Sequence, residues 1–199
     1  MKLYLKILSI ALFIIIGVNI YCALAGDNNV GVMFLWLLLA IAICGLSSVV
    51  IMISTRLLPD KLFSPYRRRF KVYKKENKLY TKLKVKKWKD KVPELGKIGG
   101  FAKNKINEPN NPKYIFKFLT ETCIAEALHF YSILAGGLLF IFIASQYLFT
   151  ITIPIFLLNG FLHLMPVIIQ RYIRPKFLFI YQKLLEQEVE EELKEISQN

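Results

Sequence analysis

Two histidines and three cysteines in 199 residues leave this chain little material for thiol or metal chemistry. Cys22, Cys44 and Cys123 sit in or beside apolar runs without pairing or metal-ligand spacing, so no disulfide framework and no cysteine-based metal motif is expected. Their plain reading is packing. Glu126-x-x-His129 matches half of the motif of helix-bundle metal sites, but such sites need a second copy and further carboxylates that the other spans lack. Neither a metal nor a bound cofactor is expected. There is no Gly-x-Ser-x-Gly elbow, and neither histidine is followed by an aspartate at the His-x-x-x-x-Asp spacing, which removes two familiar routes to acyl chemistry. Internal repeats are absent. Acid is also scarce, with 14 Asp and Glu against 27 Lys and Arg, and it gathers in the tail at Glu186-Gln187-Glu188-Val189-Glu190-Glu191-Glu192.

What the chain has instead is long apolar runs: 55% of its residues are hydrophobic and its mean hydropathy is +0.43. Residues 3–25 and 31–55 are each long enough to cross a hydrocarbon core, which takes about 20 residues at about 1.5 Å each. Two further spans are expected near 124–146 and 150–170. Met1 to Lys6 and the following apolar run, closing on Ala23-Leu24-Ala25-Gly26, also fit a cleaved secretory signal, but the length of the run favours an uncleaved anchor. The fold class is therefore an all-α integral membrane protein of four transmembrane helices. Its parts are two N-terminal helices (1–55), a basic segment (56–118), a transmembrane hairpin (119–175) and an acidic, partly helical tail (176–199).

Charge sets the orientation. Twenty of the 27 basic residues lie between Arg56 and Lys117 against five acids, Asp60, Glu76, Asp90, Glu94 and Glu108. The positive-inside tendency puts that segment in the cytoplasm, with both termini on the same side and residues 26–29 outside. Interleaved Lys, Tyr, Phe and Trp beside four spans read as a layer resting on anionic membrane lipid and not as a nucleic-acid surface. A sharper version has part of this surface holding the phosphates of a cosubstrate such as coenzyme A.

Glu121-Thr122-Cys123-Ile124-Ala125-Glu126-Ala127-Leu128-His129-Phe130 places two carboxylates and a histidine where an apolar helix meets the membrane, where such groups are costly. Asn111 as cap and Pro112 at the first helical position start that helix, which the pattern carries to about Gln146. On a wheel of about 100° per residue, Glu121, Thr122, Glu126 and His129 share one polar face, whereas Cys123 points about 120° from His129. Asn159, His163, Gln170 and Arg174 form a second stripe within about 60°. A turn near Leu148 brings residue 126 level with 170 and residue 122 level with 174, so Arg174 can pair with Glu121 or Glu126. By itself Asn159 reads as polar packing between helices, and His163 is as readily a core histidine. Pro154 and Pro166 are expected to kink the fourth span.

Four blocks in one order carry a resemblance: Leu58-Pro59-Asp60-Lys61-x-Phe63, Lys87-Trp88-Lys89-x-Lys91, Glu121-Thr122-x-x-Ala125-Glu126-x-x-His129 and Gln170-Arg171-Tyr172-x-Arg174-Pro175. In these the chain resembles the bacterial glycosyl-4,4'-diaponeurosporenoate acyltransferases, which attach a fatty acyl chain to the sugar of a glycosylated carotenoid. Two departures are Ile173, where asparagine would stand, and the additional N-terminal span. A relative acylating another membrane-anchored acceptor, including a lipoprotein amino terminus, fits the same motifs, although an inner-face site speaks against lipoproteins.

The resemblance implies a multi-pass enzyme of the bacterial cytoplasmic membrane that takes its acyl group from acyl-CoA, acyl carrier protein or phospholipid. Its acceptor is lipid-anchored, and a partner enzyme of the same pathway is conceivable. His129 is then expected as general base, Glu126 as its orienting carboxylate and Glu121 beside them. Thr122, Gln170, Arg171, Arg174, His163, Asn159, Trp88 and Lys91 are expected to bind substrate.

Overall fold

The structure, a computed structural model, describes residues 2–26, 29–92 and 106–198. Asp27 and Asn28, between the first two helices, and Glu94 with Lys97, Lys103 and Lys105 of the basic segment, lie outside the described residues. The described residues hold helices and turns and no strand. In order they form α1 (Lys2–Ala25), α2 (Val30–Leu57), α3 (Lys74–Lys82), α4 (Val85–Trp88), α5 (Pro112–Ala135), α6 (Leu139–Phe142) and α7 (Ile153–Gln198), with short 3-10 turns between several of them. Four stretches, Leu5–Ala25, Val30–Leu57, Pro112–Phe142 and Ser145–Glu191, are long and apolar enough to cross a membrane. The chain is an all-helical membrane protein.

The chain divides into two compact units. The first comprises residues 1–57, 91–93 and 127–167. Met33, Leu37 and Ala40 of α2 repeat at near-helical spacing and bury with Leu139, Ile143, Tyr147, Ile151 and Ile155. Outward side chains such as Phe13 at 77% and Phe149 at 79% exposure would be costly in water but are at home in hydrocarbon. At the reversal the backbone leaves the α-helix: Ile143 is extended and Leu148–Thr152 form a π turn. Where a carbonyl is loosened and buried it needs a donor from the protein. Asn19 of α1, 1% exposed, supplies one: its Nδ2 donates to the Thr150 carbonyl at 2.6 Å.

The second unit comprises residues 58–90, 94–126 and 168–199. Asn111 caps α5 as expected, its Oδ1 accepting the Tyr114 N–H at 3.2 Å, and Pro112 takes the first helical position, where its missing N–H costs nothing. Ile115, Phe118 and Leu119 of α5 bury against Ile173 and Phe177 of α7, with the Phe118 and Phe177 rings 4.6 Å apart. The basic segment is folded and not merely a charged layer. Phe63, Phe70, Tyr80 and Val85 are buried in it, and Glu76 accepts the Tyr73 N–H at the start of α3. Lys84 turns the chain with φ 51°, and the Trp88 indole N–H closes that turn on the Leu83 carbonyl at 3.0 Å.

Two sequence expectations shift. The third span leaves α-helix at Ala135, continues through a 3-10 turn at Gly136–Leu138 into α6 and ends at Phe142, four residues before Gln146. The fourth span and the acidic tail are one helix of 46 residues, which continues through Pro166 and Pro175 although neither has an N–H to donate. Pro154 occupies the first turn of α7, and Pro166 lies inside an assignment that stays helical through it.

Gly136 leaves room for the side chains of Asn159 and Phe156. A Cβ there would lie 2.6 Å from Asn159 Nδ2 and 3.3 Å from Phe156, whereas at Gly137 it would meet nothing within 4 Å. Gly136→Ala is expected to cost about 1–3 kcal/mol, as overpacking does. Thermal unfolding in detergent should show the loss for Gly136→Ala and none for Gly137→Ala.

Candidate functional site

Each unit holds a polar cluster, and the two differ in how completely they are satisfied. In the second unit, Arg171 and Arg174 lie three residues apart on α7 and present one face. Arg174 is fully buried and Glu126 of α5 is 6% exposed. Arg171 commits all five of its N–H groups: Nε and Nη2 to Glu76, Nη1 to Glu126 at 2.6 Å and to the Arg69 carbonyl, and Nη2 also to the Lys71 carbonyl. Arg174 donates to Thr122 Oγ1 at 3.0 Å, to the Thr122 carbonyl at 3.1 Å and to the Phe70 carbonyl at 2.8 Å. Its Nη1 also stands 2.6 Å from Glu126 Oε2, off the line of a hydrogen bond, so the contact is one of charge.

Two guanidinium cations meet two carboxylates, and the cluster is neutral as a whole. That neutrality is what lets it leave water. The turn 67–71 points three successive carbonyls, those of Arg69, Phe70 and Lys71, at the arginines, a role that no side chain of the turn announces. Partial burial raises the Glu76 carboxyl, but hydrogen bonds from Arg171 and Tyr80 outweigh it and hold the group below the usual glutamate range.

In the first unit, His129 Nδ1 of α5 lies 2.9 Å from His163 Nδ1 of α7, with the rings 5.2 Å apart. His163 Nε2 lies 3.3 Å from Ser48 Oγ of α2. Among the described residues His129 Nε2 meets no partner. It is the one ring nitrogen of the pair left open for chemistry. Asn159 is buried, and its amide donates to the Ser132 carbonyl at 3.0 Å, the packing role that the sequence suggested for it taken alone.

The sequence arithmetic that set residue 122 level with 174 is met by the Thr122 bonds, and the Arg174 to Glu126 pair forms. The expected Glu126 and His129 partnership takes another form: the partners of Glu126 are Arg171 and Arg174, and the ring partner of His129 is His163. Glu121 and Gln170 are half-buried, Lys91 is exposed, and Trp88 is occupied by its own turn. Cys123 is buried beside Thr122, in keeping with packing. Among the described residues no three His, Cys, Asp or Glu groups converge as metal ligands. Sequence reasoning missed Glu76 and Ser48. Glu76 had a signal, being the sole acid between Asp60 and Asp90 in a basic segment.

A groove of about 470 Å³ in the second unit is lined by Asp60, Lys61, Ser64, Lys113, Phe116, Lys117 and Thr120. Three cations to one anion give it a positive lining, with Phe116 as its aromatic member.

Residues 59–183 match the family model described as glycosyl-4,4'-diaponeurosporenoate acyltransferase. No curated protein and no solved structure matches the chain.

Removing one partner of a buried ion pair leaves a charge uncompensated, so Arg174→Ala is expected to destabilise the protein by about 3–5 kcal/mol, and Arg174→Lys, lacking the fork, is expected not to restore it. Detergent-solubilised thermal melts check both. Glu76 has its folded value depressed, so its stabilisation is present above the ordinary glutamate value of about 4.3 and is lost as pH falls through the lower folded value. Glu76→Gln should lower the melting temperature at neutral pH and flatten its dependence on pH below about 5.

Proposed function

This chain belongs to the glycosyl-4,4'-diaponeurosporenoate acyltransferase family, and we propose that it moves a fatty acyl chain to a hydroxyl of a membrane-anchored, sugar-bearing lipid with His129 as general base. Acyltransferase activity follows from the family; the acceptor and the base are our reading. The observation that carries the base is the open nitrogen of His129, fixed in position because its other nitrogen is held by His163 at 2.9 Å.

In the reaction, His129 Nε2 takes the proton from the acceptor hydroxyl as the new C–O bond forms at the donor carbonyl. The bond from that carbonyl to the donor's sulfur or oxygen then breaks, and the imidazolium returns the proton to the leaving thiolate or alkoxide. An imidazole suits this exchange because one ring nitrogen can accept a proton while the other stays hydrogen-bonded. The donor is an acyl-CoA, an acyl carrier protein thioester or a phospholipid ester. Thr122, Arg171, Arg174 and Glu126 act in this reading as scaffold, since they are bound to one another by hydrogen bonds and charge.

The excess of Lys and Arg between Arg56 and Lys117 supports a cytoplasmic position for that segment and for both termini in a bacterial cytoplasmic membrane. A partner enzyme supplying the glycosylated acceptor fits the same face.

Lipid mass spectrometry of cells with and without the protein tests the function. The expected result is loss of one acylated glycolipid and accumulation of its deacylated precursor. In a purified assay His129→Ala should lower the rate about 10²–10⁴-fold with the melting temperature kept. Full activity in that variant would remove His129 from the mechanism, and an unchanged lipid profile would remove the function.

A further inference from the structure

A neutral imidazole is a base only at the nitrogen that carries no hydrogen, and neighbours decide which one that is. We propose that Ser48 and His163 are positioning residues that hold His129 in the tautomer with hydrogen on Nδ1, leaving the lone pair on Nε2. This deepens the acyl-transfer reading and rests on it for the use to which the lone pair is put.

The chain of protons starts at Ser48. Its hydroxyl has one hydrogen and two acceptors in reach, the Cys44 carbonyl at 2.8 Å and His163 Nε2 at 3.3 Å. A serine inside a helix habitually returns its hydrogen to the carbonyl four residues back, and here that is also the shorter contact. Ser47 reaches the same carbonyl only at 3.1 Å. With its hydrogen given to Cys44, Ser48 turns a lone pair to His163, so His163 Nε2 carries hydrogen.

A neutral His163 then has a bare Nδ1, and a hydrogen bond across 2.9 Å requires the hydrogen on His129 Nδ1. His129 Nε2 is left as the acceptor. When it takes a proton, the Nδ1–H bond to His163 persists and strengthens, because its donor is now charged. The reverse chain, with Ser48 donating to His163, would put hydrogen on His129 Nε2 and make it a donor. One hydroxyl rotor in α2 therefore sets the direction.

With only two histidines in the chain, the tautomer can be read directly. Full-length protein labelled with ¹⁵N-histidine in lipid nanodiscs gives two sets of ring signals, assigned through His163→Gln. The expected spectrum shows His129 with a protonated Nδ1 and a pyridine-type Nε2. Ser48→Ala should mix the two tautomers and lower kcat about tenfold with KM kept, and Ser48→Thr should restore both.

A protonated Nε2 on His129 in the wild-type protein overturns the proposal, as does a Ser48→Ala variant whose ring signals are unchanged. The wild-type spectrum decides the tautomer even where a variant fails to fold. The spectrum needs no turnover, so a wrong tautomer and an absence of acyl transfer are separate failures.

Discussion

Glu126 lies between two arginines, and the fold of its unit is arranged to keep it there. A carboxylate that far from water is tolerable only if its charge is answered and its lone pairs are met. Arg171 and Arg174 answer the charge, but two guanidinium groups bring their own donors, more than one carboxylate can take. Glu76, Thr122 and three carbonyls of the turn 67–71 absorb the remainder. The buried Phe70 packs where its carbonyl can serve Arg174, so the folding of the basic segment and the burial of the arginines depend on each other.

The two polar clusters answer different needs. In the arginine cluster nearly every donor has an acceptor, and a group whose valences are filled has nothing to offer a substrate. The histidine pair carries less charge, and it leaves one ring nitrogen open. Burial and charge therefore rank the arginines and glutamates above the histidines as conspicuous residues. Unfilled valence ranks them the other way, and chemistry follows valence.

The helices were legible in the sequence because hydrocarbon thickness prescribes their length and because Asn111-Pro112 marks a start. The facing of residue 122 by 174 was legible too, since a hairpin with one turn point has fixed arithmetic. Glu76 was not placed, because sequence spacing within a folded segment of short turns carries no period to extrapolate. The carbonyls of residues 69–71 leave no trace at all in side-chain identity. Ser48 escaped because a serine in an apolar helix ordinarily satisfies itself, as this one does, and only the ring beside it gives the leftover lone pair a use. The single long α7 was read as a span plus a tail because hydropathy falls at Arg171 while the helix runs on.

Chain order gives the ion cluster a history. Glu126 precedes Arg171 by 45 residues, so during synthesis the carboxylate is made a few seconds before either of its cations. Alone it cannot settle at its final depth as an anion without the full cost of desolvation. Insertion of the hairpin is thus coupled to completion of the first turns beyond residue 168. A chain ending before residue 171 would hold Glu126 without either of the cations that answer it in the finished protein.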